Sequence, residues 1–326
     1  MAADGTDGLN GAWRLDGKGG AVALDWDGVT AWRPEDGPIW IELDRDHPRA
    51  REWLERHSGL TPLVSGSLVE PETRPRATAV DAGMIVHLRG VNLNPGAEPD
   101  DMVSIRIWVE AQRIVTVQLR RLLAVEDTRG LLQAGRGPTT APGVAVRIAC
   151  ALAERMVPVM EEIEDQIDAA QDDALAEPSL ELQARTLEQQ SQAIRMRRFL
   201  APQREALSGI AAAEAPWLLK RHREALREAS NQTVRVVEQL DAVRDRAAAI
   251  QVAVQNASAV QLNRNLYLLS VVGAVVLPPT LLAGLLGMNV SGIPWSDEPW
   301  SFAAVCIGTL AIVALELLAL RWMKWL

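Results

Sequence analysis

The chain has 326 residues, 42 acids against 33 bases for a net charge of −9, and 48% hydrophobic residues. That length suits about two domains, and the ordinary apolar and charged fractions exclude extended disorder and collagen-like repeats. An acidic chain lacks the footprint of a nucleic-acid binder and suits a cation handler, while Cys150 and Cys306 form neither a disulfide framework nor a zinc-finger spacing.

The first seven residues are polar and acidic, with no basic segment followed by an apolar one, so no signal peptide is expected. Residues 11–140 read as mixed α/β, with Gly and Pro punctuating short apolar runs. Residues 39–43 (Ile-Trp-Ile-Glu-Leu) predict a strand, and residues 48–57 predict a short helix with Asp46 as N-cap. Further strands are expected at 84–91, 103–109 and 114–119, with Glu110, Ala111 and Gln112 turning a hairpin between the last two. Pro138 and Pro142, with Gly135, Gly137 and Gly143, mark the exit from this region.

From residue 143 onward strong helix formers dominate. One helix is expected over 144–176, kinked at Pro158. A second is expected over 179–213, with Ser179 in the cap region. A third is expected to begin near Pro216 as a first-turn residue and to run to Leu286. That is roughly 70 residues, or about 105 Å at 1.5 Å per residue, and such a helix must find packing partners. The first of these helices carries Glu161, Glu162, Glu164, Asp165 and Asp168. They read either as a solvated face or as a negative field that concentrates cations.

Residues 266–286 contain no charge, and residues 300–320 contain only Glu316. Each run is long enough to cross about 30 Å of hydrocarbon as a helix. Arg264 precedes the first span, and Arg321 and Lys324 follow the second. The connector, 287–299, has no Lys or Arg and carries Asp297 and Glu298. The positive-inside rule then places both termini in the cytoplasm and the connector outside. Trp295 and Trp300 would mark the outer interface, Trp322 and Trp325 the inner one. Glu316 reads as an acid snorkelling toward Arg321 or the headgroups rather than as a transport residue. The expected organisation is an α+β membrane protein. Its parts are a cytosolic α/β domain (1–142), a helical stalk (143–264) and a transmembrane hairpin (265–326).

Stepping back from the first span by threes and fours gives Thr280, Leu277, Gly273, Ser270, Leu266, Asn263, Ala259 and Asn256 on one stripe. The stripe is small, polar or moderately apolar and carries no charge. It reads either as a helix-packing seam or as a pore wall of stacked hydroxyl, apolar and amide rings that passes a hydrated cation. Two spans cannot enclose a pore in one subunit, so the second reading requires a closed oligomer with the long helix innermost.

Gly287-Met288-Asn289 follows the first span, ahead of a short acidic connector and a C-terminal span. This resembles the Gly-Met-Asn motif of the CorA superfamily of divalent-cation transporters. Leu286 stands where CorA magnesium channels usually carry Tyr, and Val290-Ser291-Gly292-Ile293-Pro294 resembles the ZntB, zinc-associated branch. Trp13 to Gly20 and Arg197 to Leu207 resemble segments of the same branch, and the likeness covers essentially the whole chain. The resemblance implies a funnel-shaped homopentamer in the bacterial inner membrane, with the stripe as pore wall. It also implies Asn289 as an outer-sphere ligand to a hydrated ion, Gly287 as the residue that permits a tight turn, and no cofactor beyond Zn2+ as transported substrate.

The histidines, His47, His57, His87 and His222, are scattered, and none lies in a span. A closed tetrahedral zinc site is therefore not indicated, and Cys306 reads as a membrane-packing residue. Zinc over magnesium thus follows from resemblance alone. The reading is zinc uptake coupled to protons; the alternatives are Zn2+ efflux, a CorA-like Mg2+, Co2+ or Ni2+ channel, and a membrane-anchored scaffold. With no nucleophile beside a base, no phosphate loop and no ligand cluster, the chain is not read as an enzyme.

Overall fold

The computed structural model describes residues 7–176, 179–288 and 298–322, with Leu175 as backbone only. Seven strands, β1 (Leu9–Leu15), β2 (Ala21–Ala23), β3 (Ile39–Asp44), β4 (Arg76–Val80), β5 (Gly83–Gly90), β6 (Val103–Val109) and β7 (Arg113–Gln118), form one sheet in the order β2-β1-β3-β7-β6-β5-β4. The β3–β7 pair is parallel and every other pair antiparallel. Helices α1 (Trp26–Ala31), α2 (Pro48–Glu52) and α3 (Pro62–Val69) cover one face. Helices α4 (Leu123–Gln133), α5 (Ala141–Glu154) and α7 (Leu180–Ala212) cover the other. Three long helices complete the chain: α6 (Met156–Ala176), α8 (Lys220–Leu286) and α9 (Ser301–Trp322). By its internal contacts the chain divides into two units, Met1–Gln251 and Val252–Leu326, with α8 continuous from one into the other.

The continuous apolar run of β3 follows from its central place, since a strand covered on both faces has no polar side. Ile39, Ile41 and Leu43 face the α1–α3 layer, and Trp40 faces the opposite layer. Trp40 sits 4.7 Å from Trp13, ring to ring, and its Nε1 donates to Thr116 Oγ1 at 2.9 Å. Glu42 shares that side. It is wholly buried, accepting from Gln118 Nε2 and from the Arg129 guanidinium of α4, each at 2.7 Å. Burial raises its pKa and Arg129 opposes the rise.

The predicted strands at 39–43, 84–91, 103–109 and 114–119 are present, and Glu110 N donates to Arg113 O in the expected hairpin. Strands β1, β2 and β4 and helices α1, α3 and α4 had no individual signal. Four local expectations are corrected. His47, not Asp46, caps α2: His47 Nδ1 accepts from Arg49 N, while Asp46 is held by the Arg45 and Arg51 guanidiniums. Residues 53–57 continue α2 as a wider turn in which Ser58 N reaches Trp53 O. The helix expected over 144–176 is two, α5 and α6, broken at Arg155. Pro158 offers no N–H to the carbonyl of Glu154, and Arg155 leaves the helix to grip Asp127 of α4 with two bonds of 2.6 and 2.7 Å. Finally, α8 starts at Lys220, not near Pro216. Residues 215–219 form turns instead, and Arg223 donates to the end carbonyls Ala211 and Ala213 at 3.0 and 2.6 Å.

The segment Arg197 to Leu207 docks α7 on the sheet. The Arg89 guanidinium lies 3.9 Å over the Phe199 ring, and Gln203 Oε1 accepts from Arg89 N at 2.7 Å. Strand β4 pairs with β5 only as far as His87, so Gln203 satisfies a donor the ladder leaves open.

Candidate functional site

The whole stripe from Asn256 to Thr280 lies on α8, and all of it stands exposed except the half-buried Gly273. At about 100° per residue these eight positions keep to one side of the helix. The face turned about 180° away carries Leu268, Val271, Val275, Leu282 and Leu286, all apolar. Exposure does not separate the two faces: Leu277 is 67% exposed and Leu268 53%. Within the apolar segment 266–286 chemistry does, because Ser270 and Thr280 fall on the stripe and no Ser, Thr, Asn or Gln falls opposite, whereas nearer the N-terminus of the helix Gln261 and Arg264 occupy the opposite face.

The hydroxyls are oriented. Ser270 Oγ donates to Leu266 O at 2.9 Å and Thr280 Oγ1 to Val276 O at 2.7 Å. Each proton is committed to the helix, so the outward side of each oxygen is lone pair. That is the polarity a hydrated cation needs. The side chains of Asn256 and Asn263 make no hydrogen bond to a described residue, so their amide oxygens are free for water. Pro278 and Pro279 lie inside the helix and give no N–H to the carbonyls of Ala274 and Val275. Of these, Ala274 borders the stripe and Val275 lies opposite, so one unpaired carbonyl adds an acceptor beside Leu277.

At the C-terminal end of α8 Gly287 N donates to Ala283 O at 2.9 Å and closes the last turn. Gly287 is not among the glycines with left-handed backbone. A Cβ there would stand 3.1 Å from Ala283 O, and the residue lies in the turn that ends α8. Met288 is exposed. Asn289, Trp295, Asp297, Lys324, Trp325 and the Val290 to Pro294 segment lie outside the described residues. On α9, Glu316 makes no ion pair with a described residue, and its Oε2 is covered without a partner. Trp300 and Trp322 are exposed, as is Cys306.

The acidic run sits on α6. Ile163 and Ile167 turn inward, and Glu161, Glu162, Asp165 and Asp168 are exposed. Two of the five acids are engaged by α8, a pairing the sequence did not reveal. Glu164 Oε2 accepts from Gln239 Nε2 at 3.1 Å, and Asp168 pairs with Arg246 at 2.6 Å. The seven-residue spacing of Gln239 and Arg246 was the available signal, since both fall on one side of α8. Glu161, Glu162 and Asp165 form no ion pair with a described residue. Among the described residues no three His, Cys, Asp or Glu side chains converge as metal ligands.

Comparison with known proteins adds a family. The model of the CorA-like Mg2+ transporter protein family matches residues 35–322. The divalent cation transporter CmaX of Pseudomonas aeruginosa is 36% identical, over 98% of this chain and 97% of its own. The zinc transport protein ZntB of Yersinia enterocolitica is 32% identical, over 97% and 95%. Among solved structures, full-length CmaX superposes with a TM-score of 0.86 at 33% identity, covering 98% of both chains.

Proposed function

The chain belongs to the family of CorA-like Mg2+ transporter proteins, and from that premise we propose that it carries divalent metal cations across the bacterial inner membrane. Five copies set their α8 helices around an axis, the 256–280 stripe lines the pore, and α9 forms the outer ring. Both termini lie in the cytoplasm, with residues 143–264 as stalk and 265–326 as transmembrane hairpin. One observation carries the reading most. A long helix whose 266–286 segment buries no residue and is apolar over most of its surface keeps the Ser270 and Thr280 hydroxyls, their protons tied back to the helix, on a single stripe that Asn263 and Asn256 continue. Lipid accounts for the apolar surface, and a wet lumen accounts for the stripe.

The ion passes with water attached. Asn289 recognises it at the outer mouth through its amide oxygen, by resemblance to the Gly-Met-Asn motif. Leu266 and Leu277 make apolar rings that close by excluding water. The exposed acids of α6 raise the local cation concentration without binding directly. Zn2+ is the substrate we favour, taken up with protons, from the ZntB relatives; the name of the CmaX relative specifies only a divalent cation. The test is metal flux into proteoliposomes containing the purified full chain. Zn2+ entry that Mg2+ in excess does not suppress, and that an inward proton gradient accelerates, is expected. Mg2+ competing on equal terms, or flux indifferent to pH gradients of both signs, would assign a CorA-like channel instead. No flux of any divalent ion would favour a membrane-anchored scaffold.

A further inference from the structure

The second span carries one ionisable side chain that the proposed cation path does not use. Glu316 is the sole charged residue within 266–286 and 300–320. It stands six residues before the end of α9 at Trp322, about 9 Å at 1.5 Å per residue. Val305, Thr309, Ile312 and Val313 are half-buried and Leu320 is buried, and at about 100° per residue all five fall on the side of α9 that carries Glu316. Ile307, Leu310 and Leu318 on the other side are exposed. Glu316 itself is half-buried, and its Oε2 is covered with no hydrogen-bond partner.

Nothing within the spans answers that oxygen. The hydroxyl protons are spent on their own helices: Ser270 on Leu266 O, Thr280 on Val276 O, and Thr309 on Val305 O at 2.8 Å. A hydroxyl so committed offers Glu316 only lone pairs. Tyr267 and Ser301 are not free either. The cations flank the spans. Arg264 precedes the first, on α8, and Arg321 follows the second, five positions beyond Glu316 and roughly 140° round α9. A second copy of the chain brings the same spans and therefore no basic side chain within them.

The snorkelling predicted from sequence meets a geometric obstacle. A helical side chain leaves its backbone toward the helix N-terminus. For α9 that is the outer end in the topology proposed above, so Glu316 leans away from the inner headgroups. A carboxylate oxygen shut from water without a donor keeps its charge only at a cost that a bound proton removes.

We propose that Glu316 is the group that binds the coupled proton, an assignment that rests on the reading of proton-coupled uptake. A proton from the outer side joins the carboxylate, and the neutral acid fits the covered side of α9. The proton then leaves to the cytoplasm, and the ionised carboxylate turns toward Arg264 and Arg321 at the inner end of the spans. The two arrangements differ in what they do with one charge, which is how a proton gradient biases them. The gradient supplies the proton and no other reactant is consumed. Proton and metal thus use different helices, Glu316 on α9 and the stripe on α8.

Zn2+ entry into proteoliposomes holding the purified full chain, with and without an inward proton gradient at one internal pH, tests this for the native chain, Glu316→Gln and Glu316→Asp. Glutamine keeps the shape of the neutral acid and cannot exchange its proton. The gradient should accelerate native flux, the acceleration should be lost in Glu316→Gln, and Glu316→Asp should restore it. Equal acceleration in the native chain and Glu316→Gln overturns the proposal and leaves proton-coupled uptake standing. Native flux indifferent to the gradient sinks the coupling reading and the proposal with it. Infrared difference spectra of the same membranes between acidic and neutral pH supply a readout free of transport. A protonated-carboxyl carbonyl band present in the native chain and missing in Glu316→Gln is expected, and identical spectra overturn the proposal. Should Glu316→Gln not assemble, the band must shift in Glu316→Asp; an unshifted band overturns the proposal equally.

Discussion

In the unit from Met1 to Gln251 most large apolar side chains lie inside, with Ile39, Trp40 and Ile105 at 0% exposure, whereas in the unit from Val252 to Leu326 most stand exposed, Leu269 at 69% and Phe302 at 80%. Polar groups divide in a related way. The first unit buries Glu42, His87 and Arg106, and Glu42 and Arg106 are held there by several bonds each. In the second, the stripe hydroxyls bond only to their own helix. The difference teaches that the first unit carries its own solvent-excluding core and the second borrows one. Apolar side chains exposed on every side of a helix are stable only against lipid or other protein.

The largest expected effect breaks the two apart. A chain ending at Gln251 should be soluble without detergent and keep a cooperative melting transition, while the full chain should aggregate on detergent removal. A fragment that is molten or insoluble by circular dichroism and sedimentation would show that the first unit depends on the second. Next in size, Asn289→Ala removes an amide acceptor from every copy at once. Each such hydrogen bond is worth about 1 kcal/mol, so proteoliposome flux should fall at least roughly ten-fold while the melting of the cytosolic unit is unchanged. Near-normal flux would reject Asn289 as the recognition residue.

A third prediction sharpens the account of buried polarity. His87 Nε2 sits 3.2 Å from Ser67 Oγ, and Nδ1 has no partner. Burial first, then the Arg76 and Arg106 charges, lower its pKa from 6.5 to about 4. The unfolded chain takes up a proton below about pH 6.5 that the folded chain refuses until about pH 4. This contribution to stability is therefore complete above pH 6.5 and lost as pH falls through that window, by about 2 kcal/mol between pH 7 and pH 5. Urea titrations should show this slope in the native sequence and a shallower one in His87→Gln; parallel slopes would contradict it.

The β3, β5, β6 and β7 strands were legible because β-branched and apolar runs bounded by turns are strong signals, and the two spans because charge vanishes from them. Strands β1, β2 and β4 and the helices around them were not, since their form depends on what they pack against. The end of α7 and the start of α8 were misread for a similar reason. Pro216 is a good helix starter in isolation, but Arg223 stabilises the turns ahead of Lys220. On the candidate site, residue spacing alone placed the stripe on one face of α8. The direction of its hydroxyl protons and the engagement of Glu164 and Asp168 by α8 needed coordinates.

That engagement sets the smallest effect. Neutralising Glu161, Glu162 and Asp165 to amides should reduce flux only by a modest factor, and less so in high salt, where the Debye length falls to about 3 Å at 1 M. Asp168→Asn should act instead on stability, weakly, because its pair with Arg246 is half exposed. An all-or-none loss of flux that salt does not touch would mean direct coordination by the α6 acids.

The most direct measurement is cysteine accessibility around α8. On a background carrying Cys150→Ser and Cys306→Ser, single substitutions Asn263→Cys, Ser270→Cys and Leu277→Cys are compared with Leu268→Cys and Val275→Cys, using a charged, membrane-impermeant thiol reagent on protein in liposomes. A water-filled stripe predicts labelling at 263, 270 and 277, protected by divalent metal, and none at 268 and 275. Equal labelling on both faces, or none at 270 and 277 with and without metal, would contradict a cation pathway along this helix.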